Sequence, residues 1–248
     1  MKWKSVISPE SIDALLFDLD GVLTPTAEIH ATCWKLMFDE FLQAWSPEHA
    51  IPFRPFTIAT DYRRYVDGKP RYDGVRSFLD ARAIRLPYGH PDDPPGHRSV
   101  CSLGNRKNEL VTLVLHRDGI EPFPGVVELL QQIRQAGMKT AVVSSSKNCK
   151  TVILAAGIEG LFDVRVDGLT IVERGLTGKP APDMFLEAAR QLQVEPGRAA
   201  VVEDAISGVQ AGAAGNFALV IGIAHGEEAE QLRSHGAHII LRTLGDLL

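Results

Sequence analysis

The chain has 248 residues, 45% hydrophobic and 23% charged, which suits one large α/β domain or a domain carrying a smaller insert. Its net charge of −5, from 26 basic and 31 acidic side chains, argues against nucleic acid or an anionic membrane surface as the main partner. Three widely spaced cysteines (Cys33, Cys101 and Cys149) form neither a disulfide framework nor a zinc pattern, and no apolar stretch is long enough to span a bilayer, so the expectation is a cytoplasmic protein.

The first strong signal along the chain is Leu15-Leu16-Phe17-Asp18-Leu19-Asp20-Gly21-Val22-Leu23-Thr24. A run apolar on both faces reads as a buried parallel strand over Ala14–Asp18, and a turn follows at once. It ends in two carboxylates, Asp18 at the strand's carboxyl end and Asp20 in the turn beyond it. Ligands of open α/β sheets bind along that edge. Two carboxylates there repel each other unless a positive group, such as a divalent metal, lies between them.

Residues 25–121 differ in kind. No buried strand is apparent, and helical periodicity dominates in Ala27–Ala44, Val75–Ala83 and Arg106–Asp118. Leu86–His97, with four prolines, reads as a surface loop. Its His90, Asp92, Asp93 and His97 could suggest a metal site, but a solvated loop is the expectation. The segment is thus a helical insert directly after the first strand, with hinges near Thr24-Pro25 and Glu121-Pro122-Phe123-Pro124.

From residue 122 onward, strands and helices alternate as in a parallel sheet wrapped by helices. The expected strands are Thr140–Ser144, Ala200–Glu203, Ala218–Ile223 and His238–Leu241. The expected helices are Val126–Ala136, Asn148–Ala156, Pro182–Gln193, Ile206–Ala214 and Glu227–His235. Ser144-Ser145-Ser146-Lys147-Asn148 places hydroxyls, a lysine and an amide at a helix start, an arrangement suited to an anion. Gly178-Lys179-Pro180 pins a lysine in a proline-bounded turn. Val201-Val202-Glu203-Asp204 repeats the opening pattern of an apolar strand that ends in two acids. The glycines Gly208, Gly212 and Gly215 behind it have the wrong spacing for a dinucleotide fingerprint.

In chain order the set is an acid pair, a hydroxyl, a lysine and an acid pair, each at a strand end. So many acids need a cation among them, and Mg²⁺ accepts carboxylates, carbonyls and phosphate oxygens together. This four-part set resembles the motifs of the haloacid dehalogenase superfamily of phosphotransferases, over essentially the whole chain. The resemblance implies a Rossmann-like parallel-sheet core with helices on both faces (residues 1–24 and 122–248) and an inserted α-helical cap (residues 25–121). It also implies Asp18 as the nucleophile that forms an aspartyl-phosphate, and Asp20 as the general acid/base whose backbone carbonyl ligates Mg²⁺. Ser144 and Lys179 would hold the phosphoryl group, and Glu203 and Asp204 would join Asp18 in anchoring the metal.

Within the superfamily the chain is similar to the β-phosphoglucomutase group, isomerases that interconvert β-glucose 1-phosphate and glucose 6-phosphate. Thr26-Ala27-Glu28-Ile29-His30 and Trp34-Lys35 resemble that group's first cap helix. Gly68-Lys69-Pro70-Arg71 and Arg106-Lys107-Asn108 resemble segments that grip a substrate's distal phosphate. The resemblance therefore implies substrate contacts from His30, Trp34, Arg71, Lys107, Ser146, Lys147 and Asn148, and a monomer acting on a small sugar phosphate. Pro25 departs from the aspartate often found beside the first motif, which stiffens the expected hinge. A sugar-phosphate phosphatase would use the same core residues, so it stays open as the alternative. A phosphorylated receiver module is disfavoured by the long insert and by Glu203-Asp204. A nicotinamide oxidoreductase is disfavoured by the missing glycine fingerprint.

Overall fold

The computed structural model describes residues 3–96, 98–224 and 226–248, so His97 of the proline-rich loop lies outside the described residues. In chain order the elements are α1 (Trp3–Val6), β1 (Ala14–Phe17), α2 (Thr26–Glu48), a π-helix (Ile58–Val66), α3 (Arg71–Ala81), α4 (Val100–Asp118), α5 (Val126–Gln135), β2 (Lys139–Val143), α6 (Cys149–Ala155), β3 (Val164–Val166), α7 (Gly168–Arg174), α8 (Asp183–Leu192), β4 (Ala199–Glu203), α9 (Ile206–Ala214), β5 (Leu219–Ile223), α10 (Glu227–Ser234) and β6 (Ile239–Leu241). Contacts divide the chain into two compact units, one running up to Thr26 and resuming over Ile120–Leu248, the other Ala27–Gly119. Among the described residues no helix is long and apolar enough to cross a membrane.

The first unit is built on a six-stranded parallel sheet in the order β3-β2-β1-β4-β5-β6. The expected Rossmann-like α/β fold is what forms. Every residue of β1 is buried, which is why its sequence is apolar on both faces. Alternate residues Ala14 and Leu16 join Ala141, Val143, Val201 and the α8 side chains Met184, Phe185 and Ala188 in one core. A second cluster packs Val209, Val220 and Leu232 between α9, β5 and α10.

Strand order reverses direction between β1 and β4, the position where open sheets of this kind form a crevice beyond their strand ends. Register fixes what meets there. Phe17 is level with Val142 on one side and Val202 on the other, so Asp18, Val143–Ser144 and Glu203 emerge together at that edge. The Asp18 N–H still donates to the Val202 carbonyl at 2.9 Å, carrying the ladder one residue past β1.

Three elements of this unit were not anticipated: the four-residue α1, and β3 and α7. β3 is only three residues long, Val-Arg-Val, too short for an alternating pattern to register. α7 follows it, opened by a capping box in which Asp167 accepts from the Thr170 N–H. The Asp-x-x-Thr spacing was a legible start signal for it.

The second unit is helical, as expected, around an aromatic core in which Phe38 lies 4.1 Å from Phe78 and 5.1 Å from Phe56. The π-helix is an addition to the sequence reading. Two helices begin earlier than their periodicity predicted, α3 at Arg71 and α4 at Val100. Ser99 caps α4 by accepting from the Ser102 N–H, which moves its start back into the loop. The loop ahead of it is mostly exposed, as expected for its prolines.

Candidate active site

The site is assembled from strand ends of the first unit. Asp18 is 6% exposed, just past β1, and its Oδ2 accepts from the Asp20 N–H at 2.8 Å, which folds the turn back over the carboxylate. Lys179 reaches in from the turn before α8, with the Lys179–Pro180 peptide cis. Its Nζ donates to Asp18 Oδ1 at 2.5 Å, to Glu203 Oε1 at 2.6 Å and to the Val143 carbonyl at 3.0 Å. The ammonium therefore joins the ends of β1, β2 and β4.

Electrostatics follow from that burial. Burial works against the Lys179 charge, but Asp18 and Glu203 together outweigh it and hold the ammonium protonated above the usual lysine range. Burial also pushes the Asp18 carboxyl well above the usual carboxylate range; Lys179 opposes this, while Glu203 and Asp20 add like charge. A cation bound there would offset that like charge and favour the Asp18 carboxylate further.

The donor set for such a cation is present. Asp18, Glu203 and Asp204 each offer a carboxylate oxygen, and these lie within 4.8 Å of one another. Hard oxygen ligands of this kind fit Mg²⁺. Glu203 is fully buried and rigidly held, its Oε2 accepting from the Asp204 and Ala205 N–H groups at 3.1 Å each.

Asp20 is oriented differently. Its carboxylate accepts from the Thr26 hydroxyl on one oxygen and from the Ser144 hydroxyl, at 3.2 Å, on the other. Thr26 in turn lies 2.9 Å from the Thr24 hydroxyl. In the sequence Thr26 stands out only through the resemblance of its segment to the cap helix, and the fold is what gives it its grip on Asp20. The Ser144 Oγ accepts from the Ser146 N–H at 3.1 Å, and the Ser146 Oγ from the Asn148 N–H at 3.1 Å, so the serine cluster winds into a tight turn before α6. Lys147 and Asn148 lie half-buried on that same turn.

A residue absent from the sequence reading underlies this turn. The Gly168 N–H donates to the Ser146 carbonyl at 3.2 Å. A Cβ on Gly168 would lie 2.8 Å from both the Lys147 nitrogen and the Ser145 oxygen, so no larger residue fits without moving the loop. Glycine after a capping aspartate was the available signal.

In the helical unit, three of the expected residues meet. His30 and Trp34 are one turn apart on α2, and Lys107 of α4 contacts the His30 Nδ1 and lies 5.1 Å from the Trp34 ring centre. All three are buried. Arg71 opens α3, with its side chain beside Gly104 of α4, one turn before Lys107. Burial lowers its guanidinium from the usual range. The proline-rich loop forms no metal cluster among the described residues. There, Asp93 is engaged by the Ser99 hydroxyl at 2.7 Å and the His90 N–H at 3.0 Å.

Carboxylates converging on a protonated lysine, a hydroxyl and a cation-binding triad form an arrangement suited to phosphoryl transfer. Residues 12–216 match the model of the haloacid dehalogenase-like hydrolase family. A β-phosphoglucomutase of Mycobacterium bovis is 50% identical over 243 residues, covering 97% of this chain and 93% of that protein. The β-phosphoglucomutase of Bacillus subtilis is 30% identical over 236 residues, 94% of this chain and 91% of that one. A crystal structure of β-phosphoglucomutase from Clostridium difficile shares the fold, with a TM-score of 0.73 at 23% identity, over 96% of this chain and 93% of the other. The chain belongs to the haloacid dehalogenase-like hydrolase family, as an enzyme of its phosphotransferase kind.

Proposed function

We propose that this protein is a Mg²⁺-dependent β-phosphoglucomutase working through an aspartyl-phosphate. The half-identical mycobacterial relative of that name supports the reading. The observation that carries it beyond a phosphatase is Lys107, an ammonium kept only 7% exposed in the helical unit beside His30 and Trp34. Burying a cation is costly. A mutase has a use for it, because its bisphosphate intermediate must be held at both ends.

In the proposed reaction an Asp18 Oδ attacks phosphorus in line, forming the acyl phosphate as the sugar oxygen leaves. Asp20 gives that oxygen its proton and later takes one from the accepting hydroxyl. Lys179 stays protonated throughout and offsets charge on the transferring group, while the Ser144 hydroxyl orients it. When bound by Asp18, Glu203, Asp204 and the Asp20 backbone carbonyl, Mg²⁺ supplies charge neutralisation at the phosphoryl oxygens. Ser146, Lys147 and Asn148 contact the sugar phosphate from their turn. His30, Trp34, Arg71 and Lys107 receive its distal end.

The test is incubation with β-glucose 1-phosphate, Mg²⁺ and a trace of the hexose bisphosphate. Glucose 6-phosphate without net phosphate release supports the mutase. Inorganic phosphate alone would make the protein a sugar-phosphate phosphatase. Asp18→Asn should abolish both turnover and the hydroxylamine-labile phosphoprotein.

A further inference from the structure

The loop before α4 is long, exposed and rich in proline, yet two of its carbonyls converge on one side chain. Asn105 donates through Nδ2 to the Pro91 carbonyl at 2.9 Å and to the Asp93 carbonyl at 2.8 Å. Its Oδ1 accepts from the Tyr72 hydroxyl at 2.9 Å. The amide is thus used on both ends, and it joins the loop, α4 and α3. Tyr72 has little freedom, since its ring lies against Gly104, where a Cβ would come within 2.7 Å. The Tyr88 ring, from the same loop, meets it edge-on at 6.2 Å. Over the Tyr72 ring lies the Arg71 guanidinium, 5.4 Å from its centre.

We propose that Asn105 is a positioning residue: by fixing Tyr72 against α4 and the loop, it sets where the Arg71 guanidinium stands, and so tunes affinity for the distal phosphate of a sugar phosphate. The inference rests on Arg71 being a distal-phosphate contact, as proposed above. A guanidinium recognises phosphate by a planar fork of donors, so small errors in its placement weaken recognition. An arginine on a freely moving tyrosine would lose that definition. Here the ring is held at its hydroxyl by Asn105, at its face by Arg71 and at its edge by Tyr88. The loop takes part through the Pro91 and Asp93 carbonyls and the Tyr88 ring. It is the far anchor of the brace.

The test compares Asn105→Ala, Tyr72→Phe and Arg71→Ala with the parent enzyme on two substrates. One is β-glucose 1-phosphate with its bisphosphate primer, and the other is acetyl phosphate, which has no distal group. Asn105→Ala and Tyr72→Phe should each raise KM for the sugar phosphate by about tenfold and leave acetyl phosphate hydrolysis within about twofold. In an Arg71→Ala background, Asn105→Ala should add nothing further to KM, the coupling expected of residues acting as one unit. If Arg71→Ala raises KM but Asn105→Ala and Tyr72→Phe do not, the brace is refuted and the role of Arg71 stands. If Arg71→Ala itself leaves KM unchanged, the distal-phosphate reading fails and the brace with it. Equal loss on both substrates would mean only a structural role, and would also overturn the proposal. Tyr72→Phe removes a single hydroxyl, which keeps the test readable should Asn105→Ala fold poorly.

Discussion

Gly208 of α9 stands so close to Glu203 that a Cβ built on it would fall 1.8 Å from the carboxylate Oε1. The helix behind β4 therefore presses its backbone onto the buried acid and leaves it one position. Gly208→Ala should push Glu203 away from both Lys179 and the Asp18–Asp204 pair. The apparent Mg²⁺ affinity should fall by about 10–100-fold, as when residues supporting a metal's ligands are changed. Thermal melts with increasing Mg²⁺ measure this, because a cation bound only by the folded state raises Tm. An unchanged Mg²⁺ response would refute the constraint.

Among the described residues, Lys179 is the positive group paired with both Asp18 and Glu203, and it is fully buried. Lys179→Met should destabilise the metal-free protein by about 3–5 kcal/mol, the cost of leaving buried charge uncompensated. Adding Glu203→Gln should recover part of that loss, since one of the two facing carboxylates becomes neutral. Urea denaturation in the presence of a chelator gives both numbers.

Gly168→Ala tests whether α7 shapes the serine turn proposed to hold the phosphate. The atoms a methyl would meet are backbone, at Lys147 and Ser145, and cannot swing aside as a side-chain tip would. A shift of the serine turn by a fraction of an ångström should lower kcat/KM by about 10–100-fold. Gly160→Ala, where nothing lies within 4 Å, is the control and should be silent.

Glu187 predicts an acid-labile link between α7 and α8. It accepts from Arg190 at 2.8 Å twice and from Gln191 at 2.8 Å, and it pairs with Arg174 at 3.0 Å. The Arg190 hydrogen bonds, with Gln191 and Arg174, hold its carboxyl down to about 2 from the usual 4.5. A depressed folded value stabilises above the unfolded pKa and is lost as pH falls from 4.5 through 2. Solvent around Arg190 and Arg174 limits the contribution to about 1–2 kcal/mol at neutral pH. Glu187→Gln should lose that amount at pH 7 and show a flatter decline of stability across the acid range, measured by urea melts at several pH values.

The core of the candidate site was legible because several of its side chains sit where an apolar run breaks. Asp18, Ser144 and Glu203 each follow a strand that must be apolar to be buried in a parallel sheet, so the polar residue beyond it stands out. Lys179 was marked by the proline that follows it. Periodicity did not show the short elements, β3 with three residues and α7 with seven; Asp167-x-x-Thr170 is the local mark of α7. The π-helix is hidden for another reason, since its core-facing side chains, Tyr62, Tyr65 and Val66, fall within its last five residues, too few to repeat as a stripe.

The sequence by itself determined the parallel-sheet core, the helical insert and the identity of the acids, hydroxyl and lysine, because burial imposes composition locally. Only the tertiary structure decided what those groups do to one another. Lys179 is as close to Glu203 as to Asp18, Asp20 is turned to Thr26 and Ser144, Gly208 is crowded by the Glu203 carboxylate, and Gly168 faces backbone some twenty residues earlier in the chain. Such contacts depend on strand register and close packing between separate elements, and no local pattern of residues encodes a distance.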